Sequence, residues 1–170
     1  ELPAGITPPA ATGADPRISI PRDPSGAPGD TLSVPVNMLV TEAAGITLSG
    51  FDLAIEFDPA QFTLGGVELG SLVAGQDFSG LWTNPAPGTV IYTASSATGT
   101  RLLPLGTEDS LLTLTLTIGA SATGGPWPLN LLASFHTMST AAFDNELNEL
   151  VLTPAPTNMS TDSVDGLLTV

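Results

Sequence analysis

The stretch Ser49-Gly-Phe-Asp-Leu-Ala-Ile-Glu-Phe-Asp-Pro59 decides the fold. Phe51, Leu53, Ile55 and Phe57 recur at period two, with Asp52, Ala54 and Glu56 between them. Side chains of a strand point alternately to its two faces, so one face here is apolar and the other carries two carboxylates. Asp58-Pro59 ends the segment, because proline has no N–H to give a ladder. This predicts a central strand with one buried and one presented face, and function belongs on the presented one.

Working outward, the same alternation recurs in short segments. Ile18–Ile20 is a short strand. Thr31–Leu39 follows the turn Pro28-Gly-Asp30 and points Leu32, Val34, Val36 and Met38 inward. Pro35 inside it demands an edge position or a bulge. Phe62–Leu69 is broken by Gly65-Gly66, the signature of a bulge or bend. Phe78–Thr83 and Thr89–Ser96 read as a hairpin across Asn84–Gly88. Leu111–Ile118 points Leu112, Leu114, Leu116 and Ile118 inward and Thr113, Thr115 and Thr117 outward. Trp127–Leu132, Leu147–Leu152 and Gly166–Val170 complete the series. About nine short strands and no segment of helical period predict an all-β fold, a nine-stranded antiparallel β-sandwich of jelly-roll topology.

A chain of 170 residues suits one domain. Residues 1–16, rich in Pro, Ala and Thr and without periodicity, read as a linker or tail before a domain spanning residues 17–170. The start at Glu1 with no leader pattern suggests a processed chain or a module of a longer protein. Without cysteine there is neither a disulfide framework nor a thiolate metal site. Arg17, Arg22 and Arg101 are the whole basic complement against 17 acidic residues, a formal charge of −14. That balance argues against nucleic acid and anionic lipid as partners and suits solubility, a high-salt habitat or a basic partner. No apolar run approaches the ~18 residues of a membrane span, so membrane insertion is not expected.

The candidate chemistry is thin. His136, in Ala133-Ser-Phe-His-Thr-Met138, is the only histidine, and no Gly-x-Ser-x-Gly elbow accompanies it, so it reads as structural or solvated. No spacing selects a carboxylate pair for glycoside hydrolysis. The chain is therefore not expected to be an enzyme, and no cofactor is implied. Asp144, Asn145, Glu146, Asn148 and Glu149 gather oxygen ligands of the kind calcium prefers, but the EF-hand pattern is absent. The segment reads as a solvated acidic turn, with no metal site. Sugar modules on such sandwiches stack rings on exposed aromatics. Here Tyr92 shares phase with Val90 and Ala94, and Trp82 with Phe78, so both read inward.

The order of these motifs resembles the cohesin family. The matching residues are Gly29-Asp30-Thr31 before Val34-Pro35-Val36, then Phe57-Asp58-Pro59, then Gly125-Pro126-Trp127-Pro128. The acidic bend Ala142-Phe-Asp-Asn-Glu-Leu147 and the closing Asp165-Gly166-Leu-Leu-Thr-Val170 follow. The resemblance covers residues 17–170; the absence of lysine and the long segment Pro154–Ser163 depart from it. It implies a non-catalytic, secreted or cell-surface module of a larger protein that docks a dockerin-type domain, with calcium carried by the dockerin. A carbohydrate-binding module taking polysaccharide, or an adhesion domain without a dedicated ligand, are the alternatives. It also places Trp127 at a packing position.

In that family the partner lies across one sheet, which here would correspond to residues 49–57, 78–83, 89–99 and 111–118. Carried over by position, the expected contacts are Gly50 and Asp52, Leu81 and Thr83, then Thr93, Ser96 and Gly99. Thr113 and Thr115 would flank Asp52 on a flat, hydroxyl-rich platform with Leu81 as its apolar spot.

Overall fold

The computed structural model describes residues 16–170 apart from 43, 99, 100, 160 and 161. The expected linker therefore lies outside the described residues, save Pro16. In chain order the strands are β1 (Arg17–Ser19), β2 (Thr31–Leu39), β3 (Ile46–Leu48), β4 (Gly50–Phe57), β5 (Phe62–Leu69), β6 (Phe78–Ala86) and β7 (Thr89–Ser96). They continue as β8 (Arg101–Leu103), β9 (Glu108–Ile118), β10 (Trp127–Leu132), β11 (Ser134–Phe135), β12 (Met138–Ser139), β13 (Ala141–Phe143) and β14 (Gly166–Leu168). No helix occurs among the described residues.

Two sheets face each other. One has the order β1-β2-β9-β5; the other has the order β14-β10-β4-β7-β6, with β13 also paired to β4. The chain alternates between them, and strands far apart in sequence pair, as a jelly roll requires: β2 with β9, β4 with β10. The quoted stretch is indeed a central strand, flanked by β7 on one side and by β10 and β13 on the other. Phe51, Leu53, Ile55 and Phe57 are buried, and they meet Val34, Val36, Met38, Leu112, Leu114 and Leu116 from the opposite sheet in one core. Phe51 stacks on Tyr92 at 6.0 Å and on Phe78 at 6.5 Å between ring centroids. Each fully buried side chain of this size contributes about 1.5–3 kcal/mol.

The two irregular strands behave as their residues dictate. In β5 the register slips between Leu64 and Gly66, leaving Gly65 as the extra residue of a bulge. β1 pairs with β2 only at Asn37–Leu39, so among the described residues the flank of β2 at Pro35 away from β9 has no strand beside it. A bulge falls between Val36 and Asn37. Proline thus sits both at a local edge and beside a bulge. Gly88, at φ +77°, closes the expected hairpin of β6 and β7 in a conformation that suits glycine.

Leu147–Leu152 is not a strand. Asp144 Oδ1 accepts the backbone N–H groups of Glu146 and Asn148, both at 2.8 Å, and Leu147 adopts φ 64° with its side chain 77% exposed. The side chain captures donors that a ladder would need. The strand in this region is instead β13, just upstream, with one further bridge between Phe143 and Glu149. The segments beyond the expected series are short: β3 with β8, β11 with β12, and β13.

Candidate docking face

The outward face of the larger sheet is ordered in rows by strand register. Asp52 stands opposite Thr93 on β7 and Ala141 on β13, and Thr93 stands opposite Leu81 on β6. The next row runs from Leu132 through Ala54 and Ile91 to Thr83, and the row on the other side holds Phe143, Gly50, Ser95 and Ser79. Asp52 is half-buried, Thr93 is exposed, and Leu81 is 73% exposed. β6 is the edge of the sheet, so its outward residues meet solvent freely.

Four of the expected contacts therefore share one face: Asp52, Leu81, Thr83 and Thr93. Gly50 has the same phase but lies flush, since a Cβ there would stand 2.9 Å from the Ala94 carbonyl oxygen; it offers backbone only. Ser96 does not belong to the face. It pairs with buried Phe78 on the inward phase, and Ser95 holds the outward place. Period two counted from Thr93 leads to Ser95, so the signal was in the sequence. Gly99 lies outside the described residues. Thr113 and Thr115 are on β9, in the other sheet, paired with Pro35 and Ser33 and with Glu68 and Gly66. They face outward on the opposite side of the sandwich and cannot flank Asp52; Thr93 on β7 and Ala141 on β13 do so instead. Ile91, Ser79, Ser95, Ala141 and Phe143 complete the rows.

Nor is the face flat. β10 and β13 both pair with β4, Leu132 opposite Ala54 and Ala141 opposite Asp52. Residues 133–140 leave the sheet between them, with β11 and β12 forming a hairpin. Thr140 closes its base: its N–H donates to the Ala133 carbonyl at 2.9 Å, and its Oγ1 accepts the Ala54 N–H at 3.1 Å. The hairpin crosses β4, bringing Met138 Sδ to 4.0 Å from Thr93 Oγ1. Ala54, although of outward phase, is 0% exposed.

Other chemistry near the face is sparse. The bend 144–148 sits beside the start of β4, where Thr47 Oγ1 donates to Asn145 Oδ1 at 2.8 Å and Ser49 Oγ donates to the Asp144 carbonyl. Burial acts to raise the Asp144 pKa, but hydrogen bonds from the Asn148 side chain and from the Asn148 and Glu146 amides outweigh it, and the carboxyl is held below its ordinary value. No group of three or more His, Cys, Asp or Glu is placed to hold a metal among the described residues. Tyr92 is 3% exposed, and its burial raises its pKa; Trp127 packs half-buried against the core. Trp82 has the expected inward phase, opposite Tyr92, yet is 38% exposed because β6 is an edge strand. The outward rows carry one aromatic ring, that of half-buried Phe143 on β13 opposite Gly50. His136 is exposed at φ 54°, edge-on to Phe135 with ring centroids 4.4 Å apart.

Residues 17–159 match the family model described as the cohesin domain. No curated protein matches the chain. Among solved structures, the OlpA cohesin of Clostridium thermocellum in complex with the dockerin Doc918 superposes with a TM-score of 0.67 at 20% identity, covering 92% of this chain and 99% of that one. The sixth cohesin of scaffoldin B from Acetivibrio cellulolyticus, in complex with a mutant Cel5 dockerin, gives 0.68 at 18% identity and the same coverage. A non-cellulosomal cohesin from the archaeon Archaeoglobus fulgidus gives 0.64 at 13% identity, with 92% and 91% covered. At such identities the likeness is one of fold.

Proposed function

The chain is a member of the cohesin family, and from that premise we propose that it docks a dockerin-type domain on the outward face of β4, β7 and β6. The cohesin domain is a non-catalytic interaction module. The observation that carries the reading is the row Asp52–Thr93–Leu81, in which a carboxylate, a hydroxyl and an exposed leucine lie side by side in register. A dockerin helix would set Ser/Thr hydroxyls or basic groups on Asp52 and an apolar side chain on Leu81. The net charge of −14 favours such a partner. The same reading makes the chain one module of a larger secreted or cell-surface protein, with residues 1–16 as the linker that precedes it.

Titration calorimetry with calcium-loaded dockerin domains from the source genome tests this. Asp52→Ala should weaken binding by about 1–3 kcal/mol, the cost of leaving partner donors unpaired in a desolvated contact. Unchanged affinity would remove this face from the proposal. A parallel pull-down on insoluble polysaccharide addresses the alternative ligand, for which the face offers a single half-buried ring, Phe143, and no row of exposed aromatics.

A further inference from the structure

The β11–β12 hairpin has no role in the sandwich core, and its placement relative to the docking face calls for one. Between Ala54 and Asp52 on β4 lies only Leu53, whereas residues 133–140 intervene between their partners Leu132 and Ala141. The chain thus makes an excursion where a continuous strand would need a single residue. The excursion is fixed in place. Thr140, 6% exposed, supplies the acceptor that the interrupted ladder lost, and the Ser134 N–H donates to Asn158 Oδ1 at 3.1 Å. From this base the hairpin leans over β4 as far as Thr93 on β7.

We infer that this hairpin is a selectivity wall of the docking face, confining the partner to one helix laid along β7 and β6 and contacting it through Met138 and His136. The inference rests on the docking reading above. With β4 covered at Ala54, the open floor consists of the outward residues of β7 and β6, two strands about 5 Å apart. A helix is about 10–12 Å across with its side chains. The floor therefore takes one helix, with the hairpin on its β4 side and the sheet edge on the other. Half-buried Met138 and Ile91, together with Leu81, give that helix an apolar seam, and Asp52 beside the wall gives it an acidic contact. The occupant is a single amphipathic dockerin helix with an apolar stripe and a hydroxyl or basic residue on its wall side. Methionine suits such a wall, being flexible and polarizable. A partner with a bulky side chain on its wall side would collide with the hairpin, and rejection of that kind is what separates one partner from another.

The test measures affinities of a panel of isolated, calcium-loaded dockerin domains from the source genome for the wild type, Met138→Ala and His136→Gly. Position 136 already has a left-handed φ, which glycine accepts without strain, so that variant keeps its fold. Met138→Ala should weaken the best wild-type partner about tenfold, and His136→Gly should narrow the spread across the panel by a similar factor. A panel profile unchanged within about twofold in both variants, while Asp52→Ala still weakens binding, would overturn the wall and leave the docking face standing. Absence of wild-type binding to every dockerin would remove the docking reading and the wall together.

Discussion

At the scale of single residues, alternation was a reliable guide wherever a side chain faced the core. Leu114 is 0% exposed, pairs with Val34 on one side and Val67 on the other, and belongs to the single core cluster. Leu114→Ala is expected to cost about 2–5 kcal/mol in a denaturant titration, the transfer term plus the cavity it leaves. A loss below about 0.5 kcal/mol would mean that the site collapses without a cavity. Polar residues were less legible. Asp165, expected only as part of a closing turn, is 1% exposed; its Oδ1 accepts the buried Leu131 N–H and its Oδ2 the Asp162 N–H, both at 2.8 Å. Nothing in a local pattern distinguishes a carboxylate that will stitch two strands together from one that will face water.

At the scale of elements, the acidic bend shows how a side chain can displace a strand. Asp144 draws the amides of residues 146 and 148 into a turn, and the expected strand 147–152 does not form. Because the folded-state pKa of Asp144 lies below its unfolded value, its contribution is present above the ordinary carboxylate range, near pH 3.9, and is lost as pH falls through the folded value. Asp144→Ala should therefore lower the urea midpoint at neutral pH and make progressively less difference toward about pH 2. An equal effect at both pH values would show that the ionised carboxylate is not what organises the bend. The interrupted strand β10–β13 was hidden for a similar reason. Its hairpin is two short pairs around Phe135–Met138, too brief for any periodicity to register.

At the scale of the whole molecule, the fold stands on two apolar sheet faces. The core cluster draws on both sheets, and no metal-holding group is assembled among the described residues. A chelator is accordingly expected to leave the melting temperature of the isolated domain unchanged while abolishing capture of a calcium-dependent dockerin. A shift of about 10 °C on chelation, which for a domain of this size would represent several kcal/mol, would make Asp144 and Glu146 structural ligands instead.

What the sequence determined by itself was the class of fold and the inward set of nearly every strand, because burial at period two is a local property of each segment. The bulge at Gly65-Gly66, the Pro35 irregularity and the turn at Gly88 were readable for the same reason, each following from the φ range or missing N–H of one residue, although β6 runs on to Ala86 where the connection was expected to begin at Asn84. Only the tertiary structure decided which strands are neighbours. Thr113 and Thr115 alternate outward as faultlessly as Asp52 and Thr93, yet they lie on the far sheet, since outward phase says nothing about which of two outer surfaces a strand joins. The hairpin that interrupts the strand β10–β13 beside β4 was likewise settled by long-range pairing. It depends on Thr140 meeting Ala54 across 86 positions of chain, a contact that no window of sequence contains.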